Sequence, residues 1–189
     1  MFARLPRLLL ALLIALPFTR AFADDYSDTI KVFRDAGKSG KFFASSYGYA
    51  VFPTIGKGGF VIGAAHGSGR VYRQGKYVGD TSMTQVTVGA QFGGQAYSQI
   101  IFFQNKAAFD QFTSGNFEFG AQANAVAITA GASAQAGTSG ASAGASGTQE
   151  SATTAGEYYK GMAVFTVAKG GLMYEASIGG QKFSYKPKK

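Results

Sequence analysis

The chain runs to 189 residues, 46% of them hydrophobic, with 18 lysines and arginines against 10 acids and a formal net charge of +8. It contains no cysteine and 1 histidine, which excludes disulfides, thiolate catalysis, a lipid-modified cysteine and a Cys/His zinc centre. A chain of this size accommodates one domain with a sizeable core.

Arg4 and Arg7 precede the apolar run "LLLALLIAL" (8–16), and Ala21-Phe22-Ala23 places small residues just before Asp24. This pattern predicts a secretory signal peptide over 1–23, and its run is too short to span a bilayer. The mature product is expected to start near Asp24 and to be exported and soluble. Loss of Arg4, Arg7 and Arg20 lowers the formal charge from +8 to +5. For an exported chain that excess points to lipid headgroups or cell-surface polymers, and nucleic acid is not expected as a partner.

Tyr26, Ile30 and Phe33 fall at helical spacing, with Asp24, Asp25 and Asp28 in or before the first turn, where they suit the helix dipole. Gly37 and Gly40 are expected to end this helix, and "KFFASS" to add one more turn. The composition then shifts to Gly, Val, Thr, Phe and Tyr, and apolar residues alternate: Phe60, Ile62 and Ala64, then Val86 and Val88. Such alternation predicts strands with one face buried. "YRQGKYV" (72–78) predicts a hairpin with Gln74-Gly75 at its turn. "GGQAYSQIIFF" (93–103) ends in a continuous apolar run, as a central strand does.

"NKAAFDQFTSG" predicts a short helix, with Asn105 as N-cap, Phe109 and Phe112 on one face, and Gly115 as the stop. "AQANAVAITAGASAQAG", from Ala121, keeps alanine at every second place but shifts phase between Ala127 and Ala130. That is the mark of a bulge in a strand whose inward face meets another layer closely. "TSGASAGASGTQESATTAG" (138–156) has no large apolar residue and reads as a flexible loop. Strands resume at "EYYKGMAVFTVAKGGLMYEASIGGQKFSY", and the chain closes on the basic tail "KPKK".

Catalytic equipment is scarce. "GASAG" (140–144), centred on Ser142, matches the nucleophile-elbow pattern, which needs a strand before it, a helix after it and a base within reach. Here it sits in low-complexity sequence, and the sole histidine, His66, lies upstream, against the chain order of that fold. His66 has no second histidine to join it, and Asp80, Asp110, Glu118 and Glu175 show no ligand spacing. It reads as a strand-end or turn residue. "GKGGF" lacks the spacing of a dinucleotide or phosphate loop. No enzyme activity, metal or cofactor is expected.

A repeat is the better lead. "AVFPTIGKGGFVIG" begins at Ala50 and "AVFTVAKGGLMYEAS" at Ala163. In both, Lys-Gly-Gly joins two apolar runs, so its simplest account is a turn whose glycines supply positive φ. Backbone N–H groups around such glycines also form an anion-binding concavity, with Lys57 or Lys169 beside it. The two readings are compatible. Basic residues gather around the first copy: Lys38, Lys41, Lys57, Arg70, Arg73 and Lys76, interleaved with Phe42, Phe43, Tyr47, Tyr49, Tyr72 and Tyr77. That mixture suits interfacial lipid contact, and it equally suits the solvated rim of a β-rich core.

"SSYGYAVFPTIGKGGFVIGAAHGSGRVY" (45–72) resembles the opening signature of SYLF domains, lipid-binding modules of eukaryotic trafficking proteins and of exported bacterial proteins. "NKAAFDQFTSGNFEFGAQANAVA" (105–127) and "YYKGMAVFTVAKGGLMYEASIGG" (158–180) are similar to the middle and end of that family. The resemblance implies a non-catalytic protein of the bacterial periplasm or envelope. It would bind acidic phospholipids, either phosphoinositide-like headgroups or phosphatidylglycerol and cardiolipin. In eukaryotic members the basic N-terminal part is associated with the membrane, and its counterpart here is carried over only as the region 26–41. The candidates for headgroup contact are Lys38, Lys41, Lys57, Gly58, Gly59, Arg70, Arg73, Lys76 and Lys169. Those for membrane contact are Lys31, Phe33, Arg34, Phe42 and Phe43.

The expected fold is α+β over 24–189. It is mainly an antiparallel curved sheet or barrel-like sandwich, with an N-terminal helix and a short helix after Asn105. The two repeats are expected to be equivalent strand–turn–strand units. A second functional class stays open, a structural or adhesive envelope module that meets a protein or polysaccharide through a basic face.

Overall fold

Side-chain alternation along four long strands sets the architecture. The computed structural model describes residues 21–59, 62–88, 94–121, 123–128, 157–169 and 177–189. Positions 1–20, which hold most of the expected signal peptide, and the stretch 138–156 with Ser142 lie outside the described residues. Helices α1 (Ala21–Asp35), α2 (Gly37–Gly40) and α3 (Phe42–Ser45) lead into strands β1 (Gly48–Gly59), β2 (Ile62–Arg73), β3 (Lys76–Val88) and β4 (Gln95–Phe103). Then come α4 (Lys106–Thr113), the short β5 (Phe117–Glu118) and β6 (Val126–Ile128), and finally β7 (Met162–Lys169) and β8 (Lys182–Pro187).

The described strands form one sheet in the order β5-β8-β3-β2-β1-β4-β7-β6. Its pairs are antiparallel except for β6 with β7, which is parallel. The sheet curls into a half-barrel. The α+β class, the curved sheet, the N-terminal helix and the helix after Asn105 all appear as expected; the parallel pair makes the sheet mixed. Expected local signals hold as well. Asn105 Oδ1 accepts from the Ala108 amide at 3.0 Å, and Gln74 and Gly75 take φ of 50° and 77° at the β2–β3 turn, the mirror-image turn that suits strand twist. Gly37 and Gly40 do more than stop α1. They wind one further turn, α2, with the buried Ser39 hydroxyl donating to the Phe33 carbonyl at the end of α1.

The half-barrel buries both faces of its central strands. On the interior face, Ala50, Phe52 and Ile55 of β1 meet Tyr97, Ile101 and Phe103 of β4, Met83 of β3 and Phe183 of β8. Phe109 and Phe112 of α4 close this core from one end. On the outer face, Tyr49 and Val51, Ile100 and Phe102, and Ala163 and Phe165 are covered by α1 and α3 through Phe33 and Phe42. β4, between β1 and β7, is therefore apolar at consecutive positions, as its sequence predicted.

Strand β2 inverts the expected burial. Its interior positions are Gly63, Ala65, Gly67, Gly69 and Val71, while Ile62 and Ala64 point outward and are exposed. The reason is steric. A Cβ on Gly69 would sit 2.6 Å from the Phe52 ring, and one on Gly67 would sit 2.6 Å from Ile55 Cγ1. The interior above β2 is filled from β1, so only glycine fits there. Phe52 and Pro53 together face Gly69, a bulge that suits a proline with no ladder donor, and the Ser98 hydroxyl binds the Pro53 carbonyl at 2.7 Å.

Gly69→Ala is expected to lower stability by about 1–3 kcal/mol through overpacking against Phe52. Gly56→Ala, where a Cβ meets nothing within 4 Å, is expected to leave stability unchanged or raise it by up to about 1 kcal/mol. Urea denaturation of the two variants checks the contrast; equal effects would contradict the steric account.

Candidate functional site

The register divides the candidate residues between two ends of the sheet. Gly48 pairs with Arg73 at one end of the β1–β2 ladder, and Lys57 pairs with Ala65 near the other. Nine residues of strand separate them, about 30 Å. Lys57, Gly58, Gly59 and Lys169 therefore do not join Arg70, Arg73 and Lys76 in one cluster, as their proximity in sequence suggested. They form one end, here the Lys57 end. The arginines stand at the other, the tail end, with the C-terminal residues.

At the Lys57 end the two repeats come together without being equivalent. β1 and β7 both flank β4, and Gln95 and Ala96 of β4 pair with Lys57 and Lys169 respectively. Phe52 lies in the interior core, however, and Phe165 lies under the helices. A one-residue difference in register against β4 turns every matching side chain to the opposite face. The lysines follow: Lys57 stands on the interior side, whereas Lys169 lies outside and donates to Thr54 Oγ1 at 2.7 Å. The first Lys-Gly-Gly is also strand, not turn. Its ladder with β2 continues through Gly59, which alone of the three has a positive φ, 147°. Gly170 and Gly171 of the second copy lie outside the described residues.

Beyond those lysines, Ile62 is 66% and Val86 70% exposed. Ala64 pairs with Val86, and Ile62 stands two residues further out on the same strand, so the side chains of Ile62, Ala64 and Val86 share the outer face. The sequence reading placed Ile62 and Val86 on a buried face; the glycine-lined interior of β2 reverses that. Inboard of them the bare outer face turns hydroxylic, with Thr54, Ser68, Ser82 and Ser184 in one cross-strand row and Ser82 bonded to Ser184 at 2.7 Å. His66 sits mid-strand on this face, paired with Gly56 and Thr84, not at a strand end or turn.

At the tail end cations and rings interleave. The Arg70 guanidinium lies 4.3 Å from the Tyr26 ring centroid and 5.1 Å from that of Tyr77. The Tyr77 hydroxyl donates to Asp80 at 2.8 Å. Lys188 lies 5.1 Å from the same Tyr77 ring, and its amide binds the Val78 carbonyl at 2.9 Å. Arg73, Tyr77, Val78, Phe109, Tyr185, Lys188 and Lys189 line a cleft of about 400 Å³ here. The candidates for headgroup contact do not include the tail lysines, although "KPKK" is a basic run. Nothing local in the sequence shows that β8 carries that run back beside the β2–β3 hairpin.

The N-terminal candidates separate further. Phe33 is fully buried and Phe42 nearly so, both packed on the sheet, so in this arrangement neither touches a bilayer. Phe43 is half-buried under the Arg34 guanidinium at 4.9 Å, and Lys41 lies 5.4 Å from the Phe42 ring. Lys31 pairs with Asp35 one turn along α1, and Lys38 is half-buried. Among the described residues no three His, Cys, Asp or Glu gather where a metal could sit. No helix there is long and apolar enough to cross a membrane.

Residues 84–188 match the Ysc84 family model, described as Las17-binding protein actin regulator. The match covers more than half of the chain, and the chain belongs to this family, the SYLF family that its signatures resemble. Beta cell expansion factor A of Aeromonas veronii is 28% identical over 156 residues, covering 82% of this chain and 51% of that protein. The chain thus spans about half the length of this curated relative.

A buried polar cluster sets the alkaline limit of the fold. Gln99 and Gln181 are fully buried and bond to each other at 2.8 and 3.1 Å, and Gln181 also donates to the Tyr97 hydroxyl at 3.2 Å. Burial pushes the Tyr97 hydroxyl well above the ordinary tyrosine value, against the smaller opposing effect of the Gln181 bond. Tyr49 and Tyr72 are also raised, mainly by burial. The folded chain therefore keeps protons that the unfolded chain releases above about pH 10, and stability present below that pH is lost as pH rises. The urea midpoint is expected to fall above about pH 10, and less steeply in Tyr97→Phe. A flat profile in the parent protein would contradict this.

Proposed function

We propose that this chain is a peripheral, non-catalytic binder of acidic phospholipids in the bacterial envelope, and that it meets the bilayer with its Lys57 end. The observation that carries this reading is the pair of exposed apolar residues, Ile62 and Val86, beyond Lys57 and Lys169. Large apolar side chains gathered in water mark a contact surface. Lysines just inboard can hold headgroup phosphates while their stems lie along the apolar tip. The hydroxylic rows further in argue for shallow contact, since a strand face crossing the hydrocarbon would be apolar over its whole height.

The family's description in terms of Las17 and actin is not carried over, because the expected export would separate this chain from actin. The basic tail end favours the second reading, an adhesive module for a protein or polysaccharide, and the same experiment separates the two. Residues 24–189 are sedimented with neutral and with phosphatidylglycerol-rich vesicles at low and high salt. The expected result is selective, salt-weakened binding. Lys57→Ala/Lys169→Ala should reduce it by about tenfold or more, at roughly 1 kcal/mol per lysine near an anionic surface. Lys38→Ala/Lys41→Ala should have little effect. Absence of binding to every vesicle would retire the membrane reading in favour of the adhesive one.

A further inference from the structure

We propose that the cleft at the tail end is a phosphate-anion site, separate from the membrane-facing end, which holds a phosphomonoester or pyrophosphate-like dianion on Arg73, Lys188 and Lys189. Three side-chain cations line this cleft and no acidic side chain does. Of the nearby carboxylates, Asp110 pairs with Lys106 and Asp80 accepts from the Tyr77 hydroxyl, and neither lines the cleft. Against these three side-chain cations stands the α-carboxylate of Lys189, so the cleft keeps an excess of positive charge that an anion of two charges offsets.

The tail is not a loose end brought here by chance. The Lys188 amide is bonded to the Val78 carbonyl, and Tyr185, in β8 just before it, donates its hydroxyl to the same carbonyl at 3.1 Å. Tyr77 has Arg70 and Lys188 each 5.1 Å from its ring, so that ring is part of what places the ammonium. The chemistry favours phosphate. A guanidinium fork takes two of its oxygens and leaves the others for ammonium groups. The cleft, about 400 Å³, has the size of an ordinary small-molecule site, and Tyr77, Phe109, Val78 and Tyr185 offer an apolar wall to the sugar or polyol that carries the phosphate.

The site lies about 30 Å along the strands from Lys57, several Debye lengths at physiological salt, so one flat bilayer does not engage both ends. This inference does not rest on the membrane reading and stands or falls separately. The test is calorimetric titration of residues 24–189 with pyrophosphate at physiological salt, with sulfate as the control anion. One saturable site is expected, weakened by about tenfold or more in Arg73→Gln/Lys188→Gln and unchanged in Lys57→Gln/Lys169→Gln. Saturating pyrophosphate should leave vesicle sedimentation unaltered. Three results would overturn the proposal: no pyrophosphate binding, equal weakening by both double variants (a diffuse charge effect), or release from vesicles by pyrophosphate, which would make the cleft part of the lipid contact. Thermal melts of both variants verify that each is folded.

Discussion

The packing of Phe52 and Ile55 into the space above Gly67 and Gly69 is the contact on which this structure depends. It lets β1 and β2 approach without side chains between them on the interior side, and the sheet curls around β1. The interior above Gly67 and Gly69 is thereby filled from β1, while β2 adds only Ala65 and Val71 to the core beside its glycines. The Phe52-Pro53 bulge adds the local twist and shifts the phase of β1. From that shift follows the placement of Lys57 on the interior side, opposite to Lys169.

Curling leaves the sheet with two unlike ends. α4 closes the interior at one end through Phe109 and Phe112, and the hairpin, the tail and the α1–Arg70 contact gather there. At the other, β1, β2 and β3 run on past the last covered row, and Ile62 and Val86 stay in water. The helices cover the β1, β4 and β7 part of the outer face and reach β2 only at Arg70 and Tyr72, which leaves the hydroxylic row of Ser68, Ser82 and Ser184 bare. We assign the bilayer to the apolar end and a phosphate-bearing anion to the cationic one. That assignment gives separate roles to the sheet's two basic groups, about 30 Å apart.

Much of the fold was legible because its signals are local. The Asn105 cap, the Gln74-Gly75 turn and the apolar run of β4 each depend on neighbours in sequence. The family was legible from three ordered signatures. What misled was the assumption that an alternating apolar set is the buried one. Along the middle of β2 the interior belongs to Gly67 and Gly69 because residues of β1 occupy it, and no pattern within β2 reveals that. The Lys-Gly-Gly repeat misled for a related reason. Phe52 and Lys57 are five residues apart and Phe165 and Lys169 four, and only a bulge reconciles the first spacing with a continuous strand. Phe33 and Phe42 looked suited to a membrane by composition, but the sheet beneath them supplies the apolar surface they bury against. The tail's part in a cleft depends on β8 pairing with β3 across the whole chain.

The central claim is that the Ile62 end enters the bilayer. The protein has no tryptophan, so Ile62→Trp gives a single reporter at that end and Tyr159→Trp one at the other. Each would be mixed with phosphatidylglycerol vesicles, with and without brominated acyl chains. The account predicts a blue-shifted emission quenched by bromine for Ile62→Trp, and neither effect for Tyr159→Trp. Binding that leaves the Ile62→Trp emission unshifted while shifting that of Tyr159→Trp would contradict it and turn the molecule over on the membrane.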